Sequence, residues 1–237
     1  MNPRLGRDYL ASKGINLFHV FDTRTLEDLL SPSIDEGVLN HYPSTVLIAN
    51  AGAAFWHALE QFSLHGNDPV DDFSVHLAQT YSTEFLDTDF KLLYPSDLPI
   101  SLRAVADRTG WSHPSPLGIT IHPEFGTWYA FRAMFLVRMS LPASDSSPTE
   151  SPCDSCVDKP CIPACHVDAV GKIGSFDLDT CARFRIREAS PCAFSCNSRN
   201  RCPIGSEYRY VPEQMKYHYR RGRDSMARFY GAGRDQK

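Results

Sequence analysis

The first 152 of the 237 residues contain no cysteine, and no stretch of the chain approaches the roughly 18 to 20 apolar residues of a membrane-spanning helix. The first absence excludes disulfides and thiolate metal sites from about two-thirds of the sequence. The second leaves no expectation of a helical membrane span, and Met1 to Asp22 lacks the apolar run of a signal peptide. Neither a G-x-G-x-x-G nor a P-loop pattern occurs, so nicotinamide and nucleotide sites have no support. A reducing cytoplasm is the expected location.

All eight cysteines fall between Cys153 and Cys202, about one residue in six of that window. In a reducing compartment so dense a group points to metal rather than disulfides. Charge divides the chain in the same way. Residues 1–150 hold nine Lys and Arg against eighteen Asp and Glu, a net of −9, whereas residues 151–237 hold fifteen against ten, a net of +5. The opposite signs suit either two surfaces that dock within one protein or a basic tail that meets an anionic partner.

With 42% hydrophobic residues the chain can bury one sizeable core plus a small appendage. The first region reads as mixed α and β. Helices are expected over 4–13, 23–30 with Thr23 as cap, 55–62, 69–85 and 99–108, and strands over 15–21, 45–49, 119–121 and 128–139. Pro142 to Pro152, small and polar with three prolines, reads as an exposed linker. The expected organisation is a domain over 1–142, a linker over 143–152 and a cysteine domain over 153–237.

The cysteine spacings are two, four and three residues through Cys153, Cys156, Cys161 and Cys165, then ten, three and five through Cys181, Cys192, Cys196 and Cys202. Two groups of four soft thiolates match two 4Fe-4S clusters. In two-cluster ferredoxins the fourth cysteine of each run ligates the other cluster. That rule assigns Cys153, Cys156, Cys161 and Cys202 to one cluster, and Cys165, Cys181, Cys192 and Cys196 to the other. Two four-cysteine zinc sites remain open as an alternative, since a C-x-x-C start serves zinc equally well. The run also departs from the ferredoxin pattern: four residues stand before Cys161 in place of two, and His166 occupies the usual proline position.

Leu98 to Trp111 followed by Pro116-Leu-Gly118, feeding into the cysteines, resembles epoxyqueuosine reductases. Asp68-Pro-Val-Asp71 and the His122-Pro-Glu-Phe-Gly126-Thr-Trp128 segment running to Arg132 resemble CblC-type cobalamin-processing proteins. Together they cover about residues 40–203. The resemblance implies an α+β fold, with a nitroreductase-like α/β sandwich that binds cobalamin and a small C-terminal dicluster ferredoxin-like domain. It implies an iron-sulfur oxidoreductase that passes electrons from two 4Fe-4S clusters to a corrinoid. Asp97 lies near the proton-donor position of the reductases and is the candidate catalytic residue. Gly118, His122, Gly126 and Arg132 are the candidate cofactor-binding residues, Arg132 by likeness to an arginine at the thiol-cosubstrate site of CblC-type proteins.

No D-x-H-x-x-G stretch is present, so a histidine lower ligand of the usual corrinoid type is not expected. The helical-repeat extension of many epoxyqueuosine reductases is also missing, which favours a corrinoid or small-molecule substrate over tRNA. A redox protein is the expected electron donor. The basic and aromatic run from Arg199 to Arg223 suits internal shielding of the cysteine region better than nucleic-acid stacking. Two other readings stand beside the enzyme: a ferredoxin-like electron carrier without a corrinoid, and a zinc-stapled nucleic-acid-binding protein.

Overall fold

The computed structural model describes residues 2–62 and 68–231, which form two compact units. The first comprises residues 2–111 and 129–148; the second comprises 112–128 and 149–231. The division therefore differs from a single cut at the linker. Residues 112–128 leave the first unit's chain path and fold with the cysteines.

The first unit is built on four antiparallel strands, β1 (Leu17–Asp22), β2 (Ser44–Ala51), β3 (Phe90–Tyr94) and β4 (Tyr129–Val137), in the order β1-β2-β4-β3. Apolar residues run continuously through β2, which is buried along its whole length between two neighbours and beneath both faces. Leu47 and Met134 face each other in register and share a core with Leu93, Leu136, Leu26, Leu30 and Val105. Val46 and Phe135, paired on the opposite face, lie on the side of Tyr81. Each fully buried Leu or Phe here contributes about 1.5–3 kcal/mol relative to exposure.

The longer helices of this unit are α1 (Pro3–Ser12), α2 (Ala54–Glu60), α3 (Pro69–Thr80), which continues as a π turn to Phe85, and α4 (Leu102–Asp107), with single helical turns at Glu27–Leu30 and Glu36–Leu39. Asn2 caps α1 through Leu5 N–H at 3.2 Å, and Ser101 caps α4 through Ala104 N–H at 3.2 Å. The cap expected at Thr23 is instead Asp22, whose carboxylate accepts from Arg24 N–H at 3.1 Å. Thr23 is buried, and its hydroxyl meets that of Thr45 at 3.0 Å.

The supposed linker is partly tied down. Ser144 N–H donates to the Val20 carbonyl at 2.9 Å, and Ser144 Oγ accepts from Val20 N–H at 3.0 Å, so this segment runs along the edge of β1. Ser146 Oγ reaches Nε2 of the buried His19 at 3.2 Å, between the rings of Phe21 and Trp111.

In the second unit His113–Pro114 and Thr120–Ile121 form a short antiparallel pair. The turn that follows is closed by two backbone bonds between His122 and Gly126, at 2.7 and 3.0 Å. His122 Nδ1 accepts from the backbone N–H groups of Glu124 and Phe125, at 3.0 and 3.2 Å, and fixes the turn from inside. Two longer helices follow the cysteine loops, α5 (Leu178–Ile186) and α6 (Pro212–Gly231). The guanidinium of Arg223 on α6 donates to the carbonyls of Arg185 and Ile186 at 3.2 and 3.3 Å, capping the C-terminal end of α5. Among the described residues no helix is long and apolar enough to cross a membrane.

Gly126 lies at φ 59°, and a Cβ there would overlap the Ile204 carbonyl. Gly174, at φ 85°, faces open space. Gly174→Ala should cost about 1–2 kcal/mol from left-handed geometry alone. Gly126→Ala should cost more than about 3 kcal/mol, because backbone must also move. Equal losses in urea denaturation would contradict this packing role.

Burial holds both His19 and His122 down to about 4, with the charge of His113 adding to the effect at His122. A folded-state value below the unfolded value means that stability is full above about pH 6.5 and drains away as pH falls toward 4. The loss should approach about 1.4 kcal/mol per pH unit for each histidine. His19→Phe should flatten that fall in denaturation curves recorded between pH 7 and 5. A His19 ring that titrates near 6.5 by NMR would contradict it.

Candidate functional site

The eight thiols divide into two sets. Burial raises Cys153 to about 11, and the nearby charges of Cys202, Cys161 and Cys156 raise it further. Burial also raises Cys161 and Cys202, with Cys202 and Cys156 acting on the first and Cys156 on the second. In the second set two thiols are shifted. Burial takes Cys181 to about 11, opposed by Arg185 and reinforced by Cys196, Cys165 and Cys192. Cys192 is raised by burial and then by Cys196 and Cys165. These neighbour relations place Cys202 beside the first group and Cys165 beside the second.

Local structure explains the grouping. Asn197 Nδ2 donates to the Ala164 carbonyl at 3.1 Å, which joins the Cys165 turn to the turn after Cys196. Cys196 Sγ accepts from Arg199 N–H at 3.4 Å, so this sulfur caps a short helical turn. Lys159, at φ 39°, bends the loop between Cys156 and Cys161, and its Nζ donates to the Cys156 carbonyl at 3.2 Å.

A cavity of about 220 Å³ is lined by Cys165, Cys181, Cys192 and Cys196 together with Leu117 and Phe176. One water needs only about 10–15 Å³ by this measure, so the space exceeds that of one small ion. Among the described residues no three His, Cys, Asp or Glu side chains converge at the spacing of a single metal ion. The donor set is thus four soft sulfurs around a space wider than one ion. Raised thiol values mean that the ionised form is disfavoured until a cationic group compensates it. A cationic group bound to these sulfurs, whether zinc or iron, would compensate that cost.

The segment 112–128 runs through this unit. Leu117 packs against Cys161 and Val170, with Cys165 and Phe176 beside them. A Cβ on Gly118 would strike the Phe176 ring. Ile121 packs on Cys153 and Cys202. Glu124 accepts from the Tyr208 hydroxyl at 3.0 Å, and Trp128 is sandwiched near Arg199 and Tyr210, at 4.3 and 5.5 Å. Gly118, His122 and Gly126 therefore belong to the cysteine unit, where each has a packing or turn-forming role.

Arg132 lies in the first unit. Ile48 pairs with Ala133 and Ala49 with Phe131, so Arg132 is the extra residue of a β-bulge in β4. The bulge turns it inward to 5% exposure, where Nε donates to Asn50 Oδ1 at 2.5 Å and the guanidinium covers the Phe55 ring at 4.6 Å. Tyr94 is raised first by burial and then by the charge of Asp71; Arg132 opposes the shift and Asp68 adds to it. The Asp68–Asp71 segment and Arg132 are thereby placed around one phenol. Sequence reasoning missed Tyr94 because it did not identify strand β3; the alternating run Phe90 to Tyr94 was the available signal. Asp97 is exposed in the turn after β3, braced by Ser96, whose hydroxyl donates to Leu93 O at 2.6 Å and accepts from Leu98 N–H at 3.3 Å.

No family model and no curated protein matches the chain in sequence. Solved structures do match. One is epoxyqueuosine reductase with an epoxyqueuosine-modified tRNA-Tyr stem loop, at 18% identity and a TM-score of 0.54 over 90% of this chain and 68% of that one. A second is the C. elegans B12-trafficking protein CblC, at 14% and 0.54 over 95% and 94% of the two chains. A third is the catabolic reductive dehalogenase NpRdhA with 3-bromo-4-hydroxybenzoic acid, at 12% and 0.53, where 94% of this chain spans only 35% of that one. The chain shares a mixed α and β fold with epoxyqueuosine reductase and CblC, the two families its sequence resembles.

Proposed function

We propose that this protein is an iron-sulfur oxidoreductase whose second unit holds two 4Fe-4S clusters and whose first unit, a nitroreductase-like domain, binds a corrinoid that receives their electrons. The observation that carries the reading is the partition of the thiols, with Cys165 and Cys202 each lying beside the other run's cysteines. Cys153, Cys156, Cys161 and Cys202 would hold one cluster, and Cys165, Cys181, Cys192 and Cys196 the other, as in a dicluster ferredoxin. Low-potential clusters would supply single electrons to the corrinoid, and the protein would take them from a redox partner.

In the first unit the supporting residues are Arg132, held by Asn50 beside Phe55, and Tyr94 with Asp68 and Asp71 nearby. Asp97 is proposed as a proton donor. Its place in an exposed turn is consistent with movement, and the Bacillus subtilis epoxyqueuosine reductase, similar in fold, has a catalytic aspartate loop that swings out of the active site. The fold shared with a B12-trafficking protein supports a corrinoid as the ligand.

A second reading, an electron carrier without a corrinoid, draws on a separate observation. Gly118 and Gly126 are occupied by packing against Phe176 and Ile204, and His122 by its own turn, so none of the three is needed for a ligand.

Protein purified without oxygen should contain about eight irons per chain and absorb broadly near about 400 nm. Cys202→Ser and Cys165→Ser should each remove roughly half the iron, and the double variant nearly all of it. Two zincs in a colourless protein would overturn the cluster assignment. Addition of cobalamin should change its visible spectrum, and Arg132→Met should weaken that change at least tenfold in apparent Kd. With clusters present and no spectral change, the carrier reading stands instead.

A further inference from the structure

Arg185, on the last turn of α5, lines the cavity of Cys165, Cys181, Cys192 and Cys196. Its position is fixed at three points. The guanidinium stacks on the Tyr219 ring at 4.6 Å, Nη2 donates to the Tyr219 carbonyl at 3.3 Å, and the Arg185 carbonyl receives the Arg223 guanidinium at 3.2 Å. One of the remaining donors is enclosed. Arg185 Nε is buried with no hydrogen-bond partner among the described residues. A buried guanidinium N–H without an acceptor is costly. The cavity that Arg185 lines holds four cysteine sulfurs beside apolar residues and the polar His166, Ser195, Asn197 and Ser198, and of these the thiols of Cys181 and Cys192 are the groups on which the Arg185 charge acts.

We propose that Arg185 is a positioning and tuning residue for the cluster held by Cys165, Cys181, Cys192 and Cys196: it donates through Nε to a sulfur of that cluster and raises its reduction potential. The inference rests on the two-cluster reading given above. A cluster gains negative charge on reduction, so a fixed cation and an N–H donated to its sulfur stabilise the reduced state more than the oxidised state. Removing them lowers the potential.

The contrast within the unit sharpens the assignment. Lys159 and Arg209 lie near the other set, but Lys159 Nζ and Arg209 Nη2 donate to the carbonyls of Cys156 and Asn200, at 3.2 and 2.6 Å. Arg199, which also lines the cavity, gives its side-chain donors to Thr127.

The test is a redox titration of the anaerobically purified full-length protein, followed by EPR. Arg185→Met should move one cluster to a more negative potential and leave the other in place, with iron content unchanged. In a Cys202→Ser background, where the Arg185-side cluster alone remains, the same shift should persist. Arg185→Lys, which keeps the charge and loses the Nε donor, should shift that cluster in the same direction by a smaller amount. Unchanged potentials, or equal shifts in both clusters, would overturn the proposal. If Arg185→Met fails to load iron, Arg185→Lys decides: a shift confined to one cluster supports the role, and a wild-type potential refutes it. Wild-type protein without any iron-sulfur signal would overturn the two-cluster reading itself, a result distinct from clusters that ignore Arg185.

Discussion

Eight ionisable thiols within fifty residues impose the constraint around which the second unit is organised. Burial alone disfavours thiolate, and each neighbour that ionises makes the next ionisation harder. The unit supplies cations at the edges of both sets, Lys159 and Arg209 beside one and Arg185 beside the other. Side-chain cations at that distance offset only part of the cost. A metal group bonded directly to the sulfurs removes it, because coordination makes thiolate the stable form. The positive net charge of residues 151–237 follows from the same requirement: Arg223 caps α5, Arg199 holds Thr127 and Trp128, and Arg185 faces the cavity.

Short cysteine loops have little core of their own, and here the missing apolar surface comes from residues 112–128. Leu117 serves the neighbourhood of Cys161 and Cys165, and Ile121 serves Cys153 and Cys202. The strip from His122 to Trp128 then holds the chain around Cys202 through Gly126 against Ile204, Glu124 to Tyr208 and Thr127 to Arg199. Cys202 is the cysteine farthest in sequence from the thiols beside it, so it has the most to gain from an external brace. The chain path into and out of this strip, from Trp111 and back to Tyr129, makes the cysteine unit discontinuous in sequence.

The cysteine partition proposed above comes from spacing, through the ligand exchange between runs of dicluster ferredoxins. β2 was legible as an unbroken apolar run, and β4 by its aromatic and β-branched residues. Other features depended on contacts that spacing does not encode. The helix α6 is rich in arginine and tyrosine, so its sequence reads as a charged tail; its structural role comes from pairing with α5 through Arg185 and Arg223. The glycines of the 112–128 segment read as openings for a ligand, whereas the space beside Gly118 and Gly126 is filled by Phe176 and Ile204. Residues 142–151 have no regular secondary structure, and Pro152 opens a short helical turn, but irregular chain can still bond to a strand edge, as Ser144 does at Val20.

Arg132 and Arg185 solve related problems by different means. A guanidinium costs several kcal/mol to desolvate unless its donors are answered. Arg132 is held within its own unit, through Nε to Asn50 and over the face of Phe55, and the β-bulge is what brings it there. A bulge interrupts ladder bonding, and an apolar residue in a regular strand would avoid both costs. The expense is therefore not explained by the core and points to a role for charge near Tyr94. Arg185 bonds Tyr219 through Nη2, and it lines the cavity of the four thiols with its Nε buried. In each unit the residue that packing explains least stands where chemistry is proposed, one arginine beside a phenol and two carboxylates, the other beside four thiols.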